Sequence, residues 1–494
     1  MPYLHGAYGE FDESISTIGI QSTTIPVYVG TLPVNLIRGY ESAVNLPIMI
    51  SDFTGAKETV GYSSDWETFS LCEAIKLHFN NAAGNAGPIV VINVLDPATH
   101  KKAEQTTTEL TFTDGRATIA SDKIILDTLV LADKVEGTDF SVSYDFDNAQ
   151  VVINSIGEEP ITGQVNATYS EIDTTNLDKD DIIGGISDAG VYTGLGAVAL
   201  VYQELNLIPN LILAPGWSDT PEVYQAMIQA GQKINGHWFA FVLADLSLTN
   251  VNTIDKAIEW AEENKYNSEF SKTYWPQFIT NDGEIYHGST LAAWQILQVD
   301  AEHNGVPMET PSNKPIPIAK QYFGTSSTNR GFDQQQANKL NANGISSAVY
   351  WGGQWVLWGG HTAAYNYDTA QLAKMGAGKF DKRVTFDNNI RMMMHILNDF
   401  QREWSPTIDE PMTRALIDTI RNREQEKLDA YVAIGALIGT PVVEFRESEN
   451  SESEIADGNF VWNFEGTPTP QWKSGILKAA YTDAGFSTYF EEEA

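Results

Sequence analysis

The chain has 494 residues, 42% of them hydrophobic and 11% aromatic, and a formal net charge of −35. That is enough apolar matter to fill folded cores, which excludes a disordered chain, and at roughly 150 residues per domain it suggests about three domains. A surface this acidic repels phosphate backbones and anionic lipid, so neither a nucleic-acid partner nor direct membrane binding is expected. Cys72 is the single cysteine, which leaves no intrachain disulfide and no cysteine zinc site. The start Met1-Pro2-Tyr3-Leu4-His5-Gly6 lacks the pattern of a secretory signal. The longest apolar stretch, Ala430 to Val443, is interrupted by Gly435, Gly439 and Pro441 and is too short to span a bilayer. The expectation is a large, acidic, soluble protein of a reducing compartment.

In chain order, the first strong signals are unbroken apolar runs separated by helical patterns. Pro88 to Leu95, Asn210 to Ala214 and Trp238 to Leu243 read as strands buried on both faces, as in a parallel sheet. Ser64-Asp65-Trp66-Glu67 reads as a capping box for a helix carrying Trp66, Phe69, Cys72, Ile75 and Phe79 on one stripe. Ser218 is expected to cap a second helix with Pro221 in its first turn. Ile254, Ala257, Ile258 and Ala261 mark a third helix, and Leu291, Trp294, Ile296 and Leu297 a fourth. Repeated strand–helix units imply an open α/β sheet.

Between Asp96 and about Asp181 the pattern changes to period-two alternation, as in Leu110 to Gly115 and Phe140 to Tyr144, which argues half-buried antiparallel strands. Residues 101–181 carry 17 acidic and 6 basic residues and no Trp. This segment reads as a small, exposed β domain inserted into the α/β core. Residues 374–427, by contrast, hold 10 basic residues against 9 acidic ones. Phe386 to Trp404 looks helical, as does Asp409 to Leu437, with Asp409 the expected cap before Pro411. Short strands follow at Val442 to Phe445 and Phe460 to Phe464, and Pro468 and Pro470 fit an extended connection.

Several motifs touch on chemistry. Gly194-Leu195-Gly196-Ala197-Val198-Ala199 matches G-x-G-x-x-A, with Asp219 placed for a ribose hydroxyl, so Gly194, Gly196 and Asp219 make up a dinucleotide-dependent enzyme reading. The stretch before it is loop-like, and the alternative is a helix from Ala197 to Leu205 that packs closely on the sheet. Gly376-Ala377-Gly378-Lys379-Phe380 lacks both the first glycine and the hydroxyl residue of a phosphate loop. Gly324-Thr325-Ser326-Ser327 and His287-Gly288-Ser289-Thr290 faintly echo serine-protease motifs with the histidine close before the serine where it should lie far upstream, and they read instead as a polar loop and a helix start. The eight histidines form no H-x-H or H-E-x-x-H pair, so no metal site and no cofactor is indicated. Trp351, Trp355 and Trp358, with Gly352-Gly353 and Gly359-Gly360, suit either a packed strand pair with glycine turns or a sugar-stacking face.

With no catalytic constellation left standing, other residues carry a resemblance. Tyr3-Leu4-His5-Gly6-Ala7-Tyr8 looks like the opening Tyr-x-His-Gly-Val-Tyr of contractile phage tail sheath proteins. Pro26 to Thr31 is similar to their first strand ending in Val-Gly-Thr, and Leu46 to Ile50 to the proline-led strand that follows. Val90 to Val94 resembles their Val-Val-Arg-Val strand with Asn93 at the arginine, and Asn210 to Ser218 their apolar strand ending in Ala-Pro-Gly. Leu357-Trp358-Gly359-Gly360-His361-Thr362 resembles Val-Trp-Gly-x-Arg-Thr, with His361 at the arginine, which puts that arginine's ion pair in doubt. The order of these motifs runs through the whole chain except the insertion.

The resemblance, which extends to phage-tail-like bacteriocins and injection systems, implies a multidomain α/β fold. A subtilisin-like open α/β core (21–96 and 182–345) would carry an inserted antiparallel β-sandwich (97–181), an α+β C-terminal domain (346–481), an N-terminal arm (1–20) and a C-terminal arm (482–494). It implies a structural protein and no enzyme. Copies of the chain would stack as hexameric rings in a helical sheath around a tail tube protein, bounded by baseplate and tail terminator proteins. The sheath would assemble in the host cytoplasm, reside in the virion tail, and contract to drive the tube through the cell envelope. Tyr3, His5, Tyr8, Phe486 and Tyr489 are then candidate intersubunit-arm residues, and Arg414, Arg421, Arg423 and Lys427 candidate tube-facing residues. Strand-like, core-poor chain ends suit strand addition to a neighbouring copy. The near-neutral 374–427 segment can approach acidic surfaces without the repulsion set by −35.

Overall fold

The computed structural model describes residues 20–21, 23–324, 331–366 and 385–490. Its centre is an eight-stranded sheet. In chain order the sheet takes β1 (Pro26–Gly30), β2 (Pro47–Ile50) and β3 (Ile89–Asn93). Then come six strands of the insertion: β4 (Thr106–Phe112), β5 (Arg116–Ile119), β6 (Val130–Leu131), β7 (Phe140–Asp145), β8 (Gln150–Ser155) and β9 (Gly163–Tyr169). The central sheet resumes with β10 (Leu211–Leu213), β11 (Phe241–Asp245), β12 (Ser271–Tyr274), β13 (Ile345–Trp351) and β14 (Gln354–Trp358).

The strand order across the sheet is β14-β13-β12-β11-β10-β1-β3-β2. Neighbours among the inner six strands pair in parallel, with Val27 opposite Val90 and Leu211 opposite both Pro26 and Phe241. The two edge strands pair antiparallel. The apolar runs explain this arrangement. Val27, Tyr28, Val29, Ile89, Val90, Ile92, Val242 and Leu243 are fully buried because helices cover both sheet faces. Tyr28 can sit inside because its hydroxyl meets His78 Nε2 at 2.7 Å.

Those helices are α1 (Phe53–Thr59), α2 (Cys72–Phe79), α3 (Leu200–Leu205), α4 (Pro221–Ala230), α5 (Ile254–Glu263), α6 (Gly288–Glu302) and α7 (Gln334–Asn341). Helix α6 is buried nearly all round, the mark of a helix inside a large core. Two expected caps are corrected here. The Ser64–Glu67 box starts no helix: α2 begins at Cys72, and Asp65 instead binds Lys123 and the Thr68 amide in a turn. Ser218 does not cap α4, whose N-cap is Thr220 with Pro221 first in the helix. Ser218 is fully buried and its hydroxyl accepts the Asp245 amide at 3.0 Å.

In the insertion, β5-β8-β7 and β4-β9-β6 form two antiparallel three-stranded sheets around a core of their own that includes Leu110, Phe112, Phe140, Val151, Ile153 and Tyr169. It is tied to the α/β unit by polar contacts. Asn35 Nδ2 donates to the carbonyls of Asp122 and Ile124 at 2.9 Å each, and Lys123 Nζ reaches Asp65 at 2.6 Å.

Beyond β14 come α8 (Asp387–Trp404), α9 (Arg414–Ala433), β15 (Leu437–Glu444) and β16 (Asn463–Pro468), the two strands pairing antiparallel. Asp409 does not cap α9; it lies in a loop at φ +69°, and the Thr413 side chain accepts the Leu416 amide instead. A small core of Met392, Ile396, Leu428, Ala436, Leu437 and Val443 holds this part together. Two buried ion pairs bind α8 to the α/β unit, Lys272 with Asp387 and Arg391 with Asp300. Each charge is taken out of water, so removing one partner strands the other.

Candidate functional site

Tyr3, His5 and Tyr8 lie outside the described residues, as do Ser326, Ser327 and the Gly376–Phe380 stretch. The remaining candidate residues can be placed.

Gly194 and Gly196 do not follow a central strand. They begin a 3-10 turn, Gly194–Ala199, after the two-residue strand Tyr192–Thr193, which pairs with Gly185–Ile186. A Cβ on Gly194 would stand 2.4 Å from the Ile182 carbonyl, and one on Gly196 2.5 Å from that of Gly185. Both glycines exist to let backbone touch backbone, so the cradle for a pyrophosphate is absent. The expected helix from Ala197 is α-helical only from Leu200.

Asp219 lies apart from that turn, in a crevice of about 940 Å3 at the carboxyl ends of the parallel strands. His287 is its hub. Nδ1 meets Glu73 Oε2 at 2.7 Å, the His287 amide donates to Glu73 Oε1 at 3.2 Å, and Nε2 meets the Gln277 side-chain amide at 2.7 Å. Burial disfavours the charged imidazole, but Glu73, Asp245 and Asp219 outweigh it and push His287 up to about 9. Burial also raises the carboxyls of Asp219 and Asp245. Asp245 accepts from the Ser289 amide at 3.0 Å and hydroxyl at 2.5 Å. Both ring nitrogens of His287 and both oxygens of Asp245 are thus committed within the chain, a closed knot that ties α2, β11 and α6. Among the described residues no group of three His, Cys, Asp or Glu is arranged to hold a metal ion, and no helix is long and apolar enough to cross a membrane.

Trp351, Trp355 and Trp358 belong to the β13–β14 hairpin, which turns through Gly352 and Gly353 at φ +62° and +90°. The two strands pair antiparallel, with Trp351 against Trp358 at 5.8 Å and the Trp358 indole donating to Asn338 at 2.8 Å, and Trp351 itself is exposed at the tip. At the two positions where the resemblance marks an arginine, neutral side chains are seated. Asn93 accepts the Leu32 amide at 2.8 Å and donates to the Leu95 carbonyl at 2.8 Å. His361 is stacked between Tyr365 at 3.8 Å and Phe386 at 4.4 Å, and burial pushes it down to about 4. A neutral ring makes no ion pair at neutral pH.

The four basic candidates on α9 differ among themselves. Arg414 is exposed and pairs with Asp418 at 3.2 Å, Arg421 approaches the same Asp418 at 3.6 Å, and Arg423 pairs with Glu403 of α8. Lys427 is enclosed: its side chain is 22% exposed and binds Asp399 at 2.8 Å, Glu424 at 3.0 Å and also Glu403. Burial would lower its pKa, but those carboxylates win and hold the ammonium firmly charged. Lys427 therefore fastens α9 to α8, and the outward charge of the helix rests on Arg414, Arg421 and Arg423.

The least ordinary surface is the end of the chain. Thr469 still bonds Ala436 and Gly435, Gln471 reaches Asp387 and Asn388 at 3.0 and 2.6 Å, and Lys473 donates to the Tyr365 hydroxyl at 2.8 Å. From residue 474 to 490 the hydrogen bonds are only local, such as Phe486 N to Asp483 O and Ser487 Oγ to Ala484 O. Yet the chain from residue 472 on is rich in large apolar side chains: Leu477 is 93% and Trp472 87% exposed, and Ile476, Tyr481, Phe486 and Tyr489 are also exposed. Such a run in water is the signature of a surface that a partner covers. Phe486 and Tyr489 are two of its six members; the sequence reading missed the four before residue 482. Their signal was the Pro468/Pro470 break followed by apolar residues at neither helical nor strand period.

No family model matches the chain. Curated relatives do. The chain is 24% identical over 497 residues to the tail sheath protein of Burkholderia phage BcepMu, covering 95% of this chain and 94% of that protein. It is 23% identical over 358 residues to the major tail sheath protein of Serratia phage KSP20, covering 70% and 81%. The chain is a homologue of contractile tail sheath proteins. Among solved structures, its fold matches a chain of the anti-feeding prophage baseplate with a TM-score of 0.55 and 14% identity, covering 98% of this chain and all of that one. It matches a chain of the contracted sheath complex of the PVC extracellular contractile injection system at 0.54 and 12%, covering 98% and 99%. This sheath homologue thus has a mixed α/β multidomain fold shared with contractile injection systems.

Proposed function

We propose that this protein is the subunit of a contractile tail sheath, a structural protein that works by polymerising around a tail tube. The observation that carries the reading is the similarity to tail sheath proteins along nearly the entire chain, combined with an apolar C-terminal segment that is left exposed. Copies stack as hexameric rings in a helical sheath, between a baseplate and a tail terminator, in the tail of a particle assembled in the host cytoplasm. The core is of the subtilisin-like kind without its activity, bounded at 21–96 and 182–345, with the β-sandwich of 97–181 inserted and 346–481 forming the tube-proximal part.

Residues 1–20 and the chain end serve as arms that add strands to neighbouring copies, Tyr3, His5, Tyr8, Phe486 and Tyr489 among their contacts. The β15–β16 hairpin, two strands with edges to extend, is the sheet that receives them. Arg414, Arg421 and Arg423 face the tube. Contraction exchanges one set of intersubunit contacts for a larger one while the arms keep the copies linked. The test is microscopy of the purified protein in negative stain, in which tubes of stacked rings are expected and a discrete small oligomer refutes the reading. Deleting residues 1–12 or 482–494 separates the arms from the rest: sheaths that still assemble at full length and contract as a unit refute the arm model.

A further inference from the structure

The β15–β16 hairpin is a two-stranded sheet, and its two outer edges are not alike. On β15 the edge is occupied. Gln425 of α9 accepts the Val443 amide through Oε1 at 3.0 Å and donates to the Pro441 carbonyl through Nε2 at 2.9 Å. One side chain thus makes the pair of bonds that an added strand would make there, and the helix that carries it packs alongside.

The same bonds fix the parity of the strand pair. Val443 stands opposite Phe464, and its N–H points away from β16 to Gln425. The two residues are therefore a non-hydrogen-bonded pair, and the N–H and C=O of Phe464 point away from β15 as well. Among the described residues nothing bonds them on that side, nor the N–H and C=O of Trp462 two residues earlier. Pro468, within β16, has no N–H to give, which a strand tolerates at an edge. Beside this open edge lies an aromatic patch: Phe445, Phe400 and Phe460 stand 5.5, 6.2 and 6.4 Å from Trp462, all of them half-buried.

We infer that the hairpin receives its added strand on β16, that Gln425 keeps β15 closed, and that the strand is the chain end of a second copy, residues 474–490. This rests on the reading that chain ends link neighbouring copies, and it names the receiving edge and the donor segment. Three observations choose this occupant. After Lys473 the chain end makes only local hydrogen bonds, so its backbone is available for pairing. Its Ile476, Leu477, Tyr481, Phe486 and Tyr489 are exposed, and alternate side chains of an added strand can settle on the aromatic patch. From Lys473, tied to Tyr365, residues 474–490 extend up to about 55 Å, enough to leave their own copy. The added strand then presents an outer edge of its own, on which a further arm can follow.

The experiment is disulfide trapping in the full chain, whose one native cysteine, Cys72, is buried. Glu465 of β16 and Glu444 of β15 are both exposed and both pair with Arg446, so Glu465→Cys and Glu444→Cys each remove one comparable surface contact. Each variant is mixed with chains carrying one cysteine at successive positions from 474 to 490, oxidised, and run on a non-reducing gel, with each protein alone as the control. Neighbouring strands lie about 4.8 Å apart and a disulfide needs Cα atoms within about 7 Å, so a strand on the outer edge of β16 reaches position 465 and, one strand further, not position 444. The expected result is a dimer band at least about tenfold stronger with Glu465→Cys than with Glu444→Cys, recurring at alternate positions of the chain end. An equal or stronger dimer with Glu444→Cys overturns the edge assignment and leaves the arm reading standing. Dimers of Glu465→Cys with cysteines placed in residues 3–20, and none with 474–490, overturn the choice of occupant. If a chain carrying both cysteines closes on itself while the mixture gives no dimer, the chain end belongs to its own hairpin and the inference falls. No crosslink above the controls on either edge, from either chain end, overturns the inference and the arm reading together.

Discussion

Leu477→Ser and Trp472→Ser probe the exposed chain end directly. Leu477 is 93% and Trp472 87% exposed in the single chain, so each side chain contributes little packing to its own molecule. Full burial of a leucine against a neighbour is worth about 2 kcal/mol, and of the larger indole about 3 kcal/mol. At 1.4 kcal/mol per factor of ten, the loss raises the concentration needed for assembly by about 30-fold for Leu477→Ser and over about 100-fold for Trp472→Ser. Unfolding of the unassembled chain, by contrast, is expected to move by less than about 0.5 kcal/mol, as for other surface changes. Sedimentation across a dilution series measures the first quantity, and urea unfolding at low protein concentration the second. The reasoning fails if both variants assemble at the parent's concentration, or if the isolated chain loses the full 2–3 kcal/mol, which would mean that these side chains pack within their own copy.

The other expectations concern the interior. His287 is raised from 6.5 to about 9, so its stabilising charge is fully present below pH 6.5 and is lost as pH climbs through 9, a contribution on the order of 3 kcal/mol; urea midpoints from pH 6.5 to 9.5 should fall in the parent and stay flatter in His287→Gln. His78 and His361 are pushed down to about 4 by burial, the opposite case. Because the unfolded chain binds their protons first, stability should drop as pH falls from 6.5 towards 4, and a flat profile there would contradict the buried, neutral rings. Lys272→Met leaves Asp387 charged and buried and should cost about 3–5 kcal/mol, largely recovered in Lys272→Met/Asp387→Leu; denaturant unfolding of both tests it. Gly194→Ala places a methyl against the Ile182 carbonyl and at φ +52°, and should lower stability by about 1–3 kcal/mol, while added dinucleotide leaves the melting curve of the parent unmoved.

Much of the α/β unit was readable in the linear chain. Val90 to Ile92, Leu211 to Leu213 and Phe241 to Leu243 are apolar at consecutive positions, and the cheapest way to bury both faces of such a strand is a parallel sheet between helices. The alternation in Phe140 to Tyr144 likewise announced one-sided sheets, and the insertion closes over its own core. Helix starts were less legible. Ser64, Ser218 and Asp409 all have the right side chain for a cap, and each is drawn away: the chain at Ser64 turns under Asp65 and Lys123, Ser218 is buried on Asp245, and Asp409 sits in a left-handed turn. A cap is worth about 1 kcal/mol, too little to hold a helix start where long-range partners bid higher.

The candidate site divides along the same line. The linear chain alone settled the hydrophobic pattern, the acidic charge and the string of motifs that resemble those of sheath proteins, because each is a property of neighbouring residues. It could not say that Lys427 is locked between Asp399 and Glu424 while Arg414 is exposed beside Asp418, that Gly194 and Gly196 meet a carbonyl in place of a phosphate, or that Trp472 and Leu477 are left bare. Those facts depend on which distant segment arrives beside each residue, and burial, pairing and exposure come into being only when the chain closes on itself.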